Sequence, residues 1–438
     1  MKKLLLLFLL FLCFQGFSQV EEDPKVGLVL SGGGAKGLAH IGVLKVLEEA
    51  GVRIDYIGGT SMGAIIGGLY ASGYSAHQLD SIFHSTNFNI LIQDELPRSA
   101  KTFYEKRDSE KYALTLPFDN FKISFPSGLS KGQNVYNLIS RLTLHLDDKS
   151  RFEELPIPFF CVAVDVETGE EVILDQGYLP QAIAASAAIP SLFSPVMLEG
   201  RLLTDGGVVN NYPVEELRKR GADIIIGVDV QDALSERDEL ISVFRILTQI
   251  SNFRTVKDME TKVEKTDVYI KPAIEPFSVT SFGRGMEIIE AGEVAAQESM
   301  SLLQQIAERQ QPRTKDFIPL PEIDSLYISD VRIEGNHSYP RSYILGKLRL
   351  KYPLKTSYKD VNLGINNLSA TGNFNKINYK LLPLNQGYVL VLQLEENQNK
   401  MIALWTKLAE RYVDEPWIAA YDLINEPNWG FVDPNDKH

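Results

Sequence analysis

The sequence predicts a three-layer α/β fold, in which a mostly parallel sheet is covered by helices on both faces. The main observation is that apolar strands alternate with helical stretches across residues 24–312. A second observation is that two units of strand, glycine-rich loop and helix follow each other near the start of this region. The 438 residues exceed one typical domain, and the pattern changes after a polar linker at 313–325. We therefore expect one large α/β domain followed by a smaller unit.

Short apolar runs and intervening helical patterns define the elements of the first domain. The expected strands are Val26–Leu30, Ile57–Gly58, Phe159–Val164, Ile224–Val228 and Val268–Ile270. The expected helices include Leu38–Ala50, Ala76–Phe83, Val135–Leu144, Val214–Arg220 and Gly285–Gln310.

The second glycine-rich loop carries a serine at a position suited to catalysis. Gly59 and Gly63 stand two positions either side of Ser61, between a predicted strand and a predicted helix. This spacing is typical of a nucleophile elbow, in which neighbouring backbone crowds against a strained serine. We expect Ser61 to be exposed at the helix N-terminus, where the helix dipole and free N–H groups favour an oxyanion.

The first glycine-rich loop, Ser31–Gly37, allows two interpretations. Gly32, Gly34 and Gly37 fit the pattern Gly-x-Gly-x-x-Gly of nucleotide-binding loops. Such a site needs an acidic residue at a strand end about 20 residues further on, whereas Asp55 opens the next strand. The preferred interpretation is an acyl hydrolase in which the loop amides form the oxyanion hole.

The serine needs a base, and the sequence favours an aspartate. Asp205 ends a short apolar strand on a turn formed by Gly206 and Gly207, which predicts a position at a sheet edge with free access. His84 and His145 follow the serine in helical contexts without a glycine-marked loop, so a Ser–Asp–His triad finds little support.

Together these motifs resemble the patatin-like phospholipase family, which has a glycine-rich oxyanion loop, Gly-x-Ser-x-Gly and Asp-Gly-Gly in this order. The resemblance covers residues 24–312 and includes the stretches Gly128–Gly132 and Ala185–Pro190. It implies hydrolysis of phospholipid or another lipid ester by Ser61 with Asp205 as the base of a dyad, and it implies no metal or other cofactor. The implied oxyanion loop is Gly32, Gly33, Gly34 and Gly37, and the remaining motif glycines are Gly59, Gly63, Gly206 and Gly207.

The N-terminus has the pattern of a signal peptide over residues 1–18. Two lysines precede an apolar core, Leu4–Phe14, which is too short to span a bilayer. A retained anchor and a lipoprotein modified at Cys13 are less favoured alternatives. The expected location is the periplasm, the outer membrane or the exterior.

The composition limits the partners. A formal net charge of −13 argues against nucleic acid, so a membrane contact would be local and apolar. Cys161 lies in an apolar run and is expected to be a buried thiol rather than a nucleophile. The sequence does not define an oligomeric state.

Three further segments have two interpretations each. Residues 88–122 form either a lid or an irregular surface connection. Residues 191–198 either line an acyl pocket or form a buried strand. Residues 232–266 are helical, with charges that favour a solvated face over a partner site.

Residues 326–397 predict a small α+β module with the order β-α-α-β-β. The strands are 328–336, 376–382 and 388–395, and the helices are 340–350 and 357–371. The order resembles a polypeptide-transport-associated domain, which implies a possible outer-membrane contact. A generic α+β module is the alternative, and a non-catalytic export or interaction protein is the corresponding alternative function.

The last segment, 398–438, predicts an orphan helix–strand tail. Residues 404–429 resemble a fragment of cellulase-type glycoside hydrolases, in which Glu426 would be the acid/base. A retaining glycosidase needs a second carboxylate on another barrel strand, and this chain has no room for such a barrel. We expect Glu426 to be catalytically idle. A chance match in a short segment is the alternative.

Overall fold

The computed structural model describes most of the chain between residues 23 and 397. The described ranges are 23–94, 118–119, 122–123, 128–146, 150–234, 236–239, 243–311, 326–350, 352–384 and 386–397. The expectations for the signal peptide, Cys13, the linker, the tail and Glu426 lie outside these residues, as does most of the expected lid segment.

Strands alternate with helices along most of the described chain. The strands are β1 (Val26–Leu30), β2 (Tyr56–Thr60), β3 (Phe118–Asp119), β4 (Lys122–Ile123), β5 (Gly128–Ser130), β6 (Phe159–Asp165), β7 (Glu171–Leu174), β8 (Ser191–Phe193), β9 (Val196–Leu198), β10 (Arg201–Asp205), β11 (Ile224–Val228), β12 (Val268–Ile270), β13 (Leu326–Glu334), β14 (Leu354–Thr356), β15 (Phe374–Leu384) and β16 (Gly387–Glu396). The helices are α1 (Ala39–Glu49), α2 (Met62–Ala71), α3 (Ala76–Ser85), α4 (Phe88–Gln93), α5 (Gln133–Leu142), α6 (Leu179–Ser186), α7 (Val214–Lys219), α8 (Val243–Glu264), α9 (Gly285–Gln297), α10 (Met300–Arg309), α11 (Arg341–Leu348) and α12 (Tyr358–Ala370).

The described residues form two compact units. The first contains the described parts of 1–88 and 149–320, and the second contains those of 89–148 and 321–438. Residues 89–148, which the sequence places inside the 24–312 domain, therefore group with the later part of the chain.

An eight-stranded sheet forms the centre of the first unit. Its order is β12-β11-β1-β2-β6-β10-β9, with β7 also paired to β6. The five strands from β12 to β6 run parallel, whereas β7, β10 and β9 pair antiparallel. Every residue of β1, β6 and β11 is buried, as expected for strands covered on both faces. The prediction of a mostly parallel α/β sheet is confirmed.

The register of this sheet positions the chain turns that follow β2 and β10. In β6, Val162 pairs with Thr60, the residue before Ser61. The next residue of β6, Ala163, pairs with Asp205 at the end of β10. Because of this register, Ser61 and Asp205 lie at the same level of the sheet. One strand, β6, separates them, and adjacent strands are about 4.8 Å apart.

Several elements differ from the sequence expectations. The helix expected from Leu38 begins earlier, as a 3₁₀ turn at Gly34–Leu38 that continues into α1. The long helix expected over Gly285–Gln310 is two helices, α9 and α10. Residues 191–198 form two short strands, β8 and β9, of which only Val196 is buried.

The second unit contains a four-stranded sheet of order β14-β13-β16-β15. Strands β13 and β16 pair in parallel, and the other two pairs are antiparallel. The short strand β14 lies between the two helices, so the order is β-α-β-α-β-β rather than the expected β-α-α-β-β. Three residues are too few to give an alternating pattern that the sequence could reveal.

Helix α5 belongs to this second unit and contributes to its core. The Tyr136 hydroxyl donates to the Tyr379 carbonyl at 2.5 Å, and the Tyr358 hydroxyl donates to the Asn137 carbonyl at 3.0 Å. The rings of Tyr136 and Tyr379 meet edge to face, with centroids 5.5 Å apart. Residues 221 and 243 positions apart in sequence thus share one core. Within the described ranges, no helix is long and apolar enough to cross a bilayer.

Candidate active site

Ser61 sits on a strained turn between β2 and α2. Its backbone has φ 55° and ψ −123°, a conformation that residues with a side chain rarely adopt. Its N–H donates to Ser186 Oγ at 3.2 Å, and that hydroxyl donates to the Val162 carbonyl at 2.6 Å. The residue is 5% exposed, so the expectation of an exposed serine is wrong. Ser61 faces a cavity, not open solvent.

The two glycines of the Gly-x-Ser-x-Gly motif are required by close packing of backbone. A Cβ atom on Gly59 would lie 2.5 Å from the Gly63 carbonyl oxygen. A Cβ atom on Gly63 would overlap the Leu30 carbonyl at the end of β1. The absence of a side chain at Gly59 thus lets the turn close on α2, and its absence at Gly63 lets α2 approach β1.

The glycine-rich loop after β1 leaves two backbone donors beside the serine. Outside the 3₁₀ turn Gly34–Leu38, no described residue accepts a hydrogen bond from the Gly33 N–H or the Gly34 N–H. Gly34 has φ +57°, and a Cβ atom on it would overlap the Val279 carbonyl. A Cβ atom on Gly37 would overlap the Met62 side chain, so this glycine has a packing role inside the turn.

Gly32, expected in the oxyanion hole, has its N–H already engaged. The group donates to Asn211 Oδ1 at 3.0 Å, while Asn211 Nδ2 donates to the Gly32 carbonyl at 3.2 Å. An N–H that is bonded to a side chain is not free to stabilise an oxyanion. The expected contribution of Gly32 is therefore replaced by a structural one, and Gly33 and Gly34 supply the available donors.

Asp205 is buried at the end of β10, where it pairs with Ala163 of β6. The expectation of a freely accessible aspartate at a sheet edge is wrong. Strand β9 pairs only with Arg201–Leu203 of β10, and the Asp205 N–H instead donates to the carbonyl of Ala188, which follows α6, at 3.0 Å. The Asp205 Oδ1 atom accepts a hydrogen bond from the Gly207 N–H at 2.7 Å. A Cβ atom on Gly206 would overlap the Val162 carbonyl, which keeps this turn close to β6.

The other carboxylate oxygen of Asp205 is chemically available. Oδ2 is buried and has no hydrogen bond of regular geometry to any described residue. Burial raises the pKa of Asp205 from 3.8 to about 6, an effect that the nearby Ser61 hydroxyl and the Gly207 N–H partly offset. A carboxylate with a raised pKa and a free oxygen next to a serine is suited to accept a proton.

One cavity of about 130 Å³ brings these groups together. Its wall combines the glycine loop, the serine turn, the aspartate turn and one face of α8. The lining residues are Gly32, Gly33, Gly34, Lys36, Ser61, Ile189, Pro190, Ser191, Asp205, Gly207, Val208, Asn211, Gln231, Asp232, Asn252, Thr255, Val256 and Val279.

Two buried basic side chains support the glycine loop and were not singled out from the sequence. Lys36 is fully buried and forms an ion pair with Asp232 at the cavity wall. His40 Nε2 lies 2.8 Å from the Ser31 carbonyl. Burial lowers the pKa of His40 to about 4, so the ring is neutral at pH 7 and donates to that carbonyl. Lone residues of these types in a helical pattern give no signal that separates them from ordinary surface residues.

Two histidines and a cysteine drew attention in the sequence, and none of them lines the cavity. His84 is exposed on α3, and His145 lies in a 3₁₀ turn of the second unit. Cys161 is buried in β6, and burial raises the pKa of its thiol, as expected for a structural residue. Across the described ranges, no group of three or more acidic, His or Cys side chains is arranged to hold a metal ion.

Comparison with known proteins identifies a family for part of this chain. The family model for patatin-like phospholipases matches residues 28–218. The chain carries a patatin-like phospholipase domain. The match extends from β1 to α7 and so includes the glycine loop, Ser61 and Asp205.

Curated relatives contain a similar region. The chain is 28% identical over 325 residues to the lysophospholipase nte1 of Emericella nidulans, covering 68% of this chain and 19% of that protein. It is 30% identical over 319 residues to the lysophospholipase NTE1 of Kluyveromyces lactis, covering 67% and 20%. The chain thus spans about a fifth of the length of these relatives.

Solved structures show weaker likeness. The human GIVD cytosolic phospholipase A2 is 13% identical, with a TM-score of 0.36, over 66% of this chain and 60% of that one. The protein VipD from Legionella pneumophila is 15% identical, with a TM-score of 0.32, over 64% and 67%. The patatin-like assignment rests on the family model and on the site itself.

Proposed function

We propose that this protein is a serine acyl hydrolase that cleaves lipid esters through a dyad of Ser61 and Asp205. The observation that carries the proposal is the shared cavity. It contains a serine on a strained turn, an aspartate with a free buried oxygen and two unbonded loop amides. These are the nucleophile, base and oxyanion donors that acyl transfer requires.

The reaction follows from these positions. Ser61 Oγ attacks the ester carbonyl while its proton passes to Asp205, and the carbonyl oxygen becomes an oxyanion held by the Gly33 and Gly34 N–H groups. The intermediate collapses, and the alcohol leaves with the proton from Asp205. Water, deprotonated by Asp205, then attacks the acyl-serine; as the fatty acid is released, Asp205 returns the proton to Ser61 Oγ.

Phospholipid is the proposed substrate class. Two relatives are named lysophospholipases, and the matched family is named for phospholipid hydrolysis. The cavity of about 130 Å³ is small compared with the roughly 300–1,000 Å³ that drug-sized ligands occupy. The proposal is that the cavity receives the ester group and that most of the lipid stays outside it.

The test combines labelling with turnover. Wild-type protein should react with a fluorophosphonate probe and hydrolyse a short-chain ester, and Ser61→Ala should lose both by at least about 10⁴-fold. Ser72→Ala is the matched control, because the hydroxyl of this buried serine donates to the helix carbonyl of Gly68 at 2.6 Å and the residue does not line the cavity. Unreactive wild-type protein would favour the export or interaction protein as the alternative.

Export is a further proposal that rests on the sequence of residues 1–18. It includes a transport-associated character for the second unit and contact with an outer membrane. Expression in a bacterial host with an intact secretion pathway tests it. Processed protein should appear in the periplasm or medium with a mass that corresponds to cleavage near Ser18, and uncleaved cytoplasmic protein would contradict it.

A further inference from the structure

Helix α8 exposes an apolar stripe to solvent. Ile246, Ile250 and Phe253 are 43%, 55% and 50% exposed. They follow one another at spacings of four and three residues, which places them on one face along about 10 Å of helix. The sequence favoured a charged, solvated face for this segment, and the described residues of these turns add an exposed apolar stripe to exposed charged side chains.

The opposite face of the same turns lines the catalytic cavity. Asn252, Thr255 and Val256 belong to its wall, and Thr255 is 3% exposed. Because a helix with its side chains is about 10–12 Å across, the stripe lies within about one helix diameter of the space above Ser61. An apolar surface at this distance from the cavity is well placed to contact the part of a lipid that the cavity does not hold.

Basic side chains accompany the stripe. Arg254 and Lys257 lie on the turns around Phe253, in a chain of net charge −13. Arg254 pairs with Asp258 only at 3.9 Å, and the next exposed acidic residue, Glu260, comes a full turn or more after Phe253. Exposed Ile and Phe flanked by Lys and Arg are typical of helices that lie in the headgroup plane of a membrane. Their charge complements lipid phosphate.

We propose that this stripe, formed by Ile246, Ile250 and Phe253 with Arg254 and Lys257, docks on a phospholipid membrane. The apolar side chains enter the headgroup boundary, and the basic side chains meet the phosphates. The membrane surface then lies within about one helix diameter of the cavity that receives the ester group. The purpose of this contact rests on the proposed hydrolase function, but the binding itself does not require turnover.

The first experiment measures binding without catalysis. Full-length Ser61→Ala protein is floated with vesicles of phosphatidylcholine, alone or mixed with phosphatidylglycerol. Adding Ile246→Ser, Ile250→Ser and Phe253→Ser together should weaken binding to both kinds of vesicle by at least about tenfold. Arg254→Gln with Lys257→Gln should weaken binding mainly to the mixed vesicles, and more so at low salt.

A matched control separates the stripe from exposed apolar residues in general. Val294 on α9 is 58% exposed and does not line the cavity. Val294→Ser in the same background should bind vesicles like its parent. Equal binding by the triple serine variant and its parent, with both folded, would overturn the proposal.

The second experiment separates docking from chemistry. With Ser61 intact, the triple serine variant should hydrolyse a dissolved short-chain ester at the wild-type rate but hydrolyse vesicle phospholipid at least about tenfold more slowly. A wild-type protein that binds vesicles but cleaves no ester would refute the hydrolase function and leave the docking surface standing. A wild-type dimer that the triple variant converts to a monomer would instead assign the stripe to a second copy of the chain and refute membrane docking.

Discussion

The Asn211 side chain binds both backbone groups of Gly32, accepting from its N–H at 3.0 Å and donating to its carbonyl at 3.2 Å. The two residues lie 179 positions apart, at the ends of the two loops that carry the proposed oxyanion donors and the proposed base. The pairing fixes the glycine loop relative to the aspartate turn. Asn211 is thus a positioning residue for the donors at Gly33 and Gly34.

Asn211→Ala is expected to lower kcat by roughly 10- to 100-fold with a smaller change in KM, because the loop donors lose their fixed geometry while the cavity remains. Asn211→Asp should be as harmful, because a carboxylate places a second acceptor against the Gly32 carbonyl. Steady-state kinetics on a dissolved ester give the measurement. Asn210→Ala is the neighbouring control. It removes a partner of Lys262, so it should lower the melting temperature but leave kcat of the folded protein nearly unchanged.

Asp205→Asn is expected to abolish activity and at the same time to stabilise the protein near pH 7. The pKa of Asp205 is raised in the folded state, so folding favours the protonated carboxyl and ionisation at neutral pH costs stability. A shift from 3.8 to about 6 corresponds to a gain of about 2–3 kcal/mol for the neutral asparagine.

The gain should shrink as the pH falls through 6 and be reduced to about 0.5 kcal/mol at pH 4, where the carboxyl is protonated in the folded state and about two fifths protonated in the unfolded state. Denaturant unfolding of both proteins at pH 7.5 and pH 4 tests this sign. A variant that is less stable than wild type at pH 7.5 would contradict the desolvated-base interpretation.

The pH dependence of kcat/KM should show a rising limb with an apparent pKa near 6, since only the ionised Asp205 can accept the serine proton. A histidine base would give a similar rising limb, so histidine variants are needed to distinguish a dyad from a triad. His84→Ala and His145→Ala should each leave the limb and the plateau unchanged, because neither side chain lines the cavity. Loss of the limb in either folded variant would replace the dyad with a triad.

Tyr136→Ala is expected to destabilise the second unit by about 3–5 kcal/mol, since it removes a buried ring and the hydroxyl that bonds the Tyr379 carbonyl. Limited proteolysis should show earlier cleavage within residues 326–397. Tyr327→Ala serves as the control, because Tyr327 is 43% exposed on β13 and should change the cleavage rate little. Equal protection of this region in the Tyr136 variant and wild type would contradict a shared core.

Local patterns predicted much of the first unit. Strands β1 and β11 have the bounds expected from their apolar runs, because a buried parallel strand needs apolar residues on both faces. The serine turn was predicted because the glycine spacing reports backbone crowding directly. In both cases the deciding interactions lie within a few residues of each other.

Relationships between distant segments were not predictable in the same way. Asp205 is buried where β10 meets β6 and the carbonyl of Ala188, and the glycine turn gives no sign of either contact. The engagement of Gly32 by Asn211 and the membership of α5 in the second unit join residues that share no periodicity. A single sequence shows which of these residues are polar or apolar, but it does not show which of them contact each other.

The contribution of α5 to the second unit also affects how the chain is made. Tyr136 leaves the ribosome 243 residues before its partner Tyr379. At the usual synthesis rate of about 5–20 residues per second, the helix waits roughly 10–50 s for the strand that covers its apolar side. During that interval the apolar side of α5 is exposed on the nascent chain. Production of this protein should therefore depend on chaperones that shield the first segment until the last strands emerge.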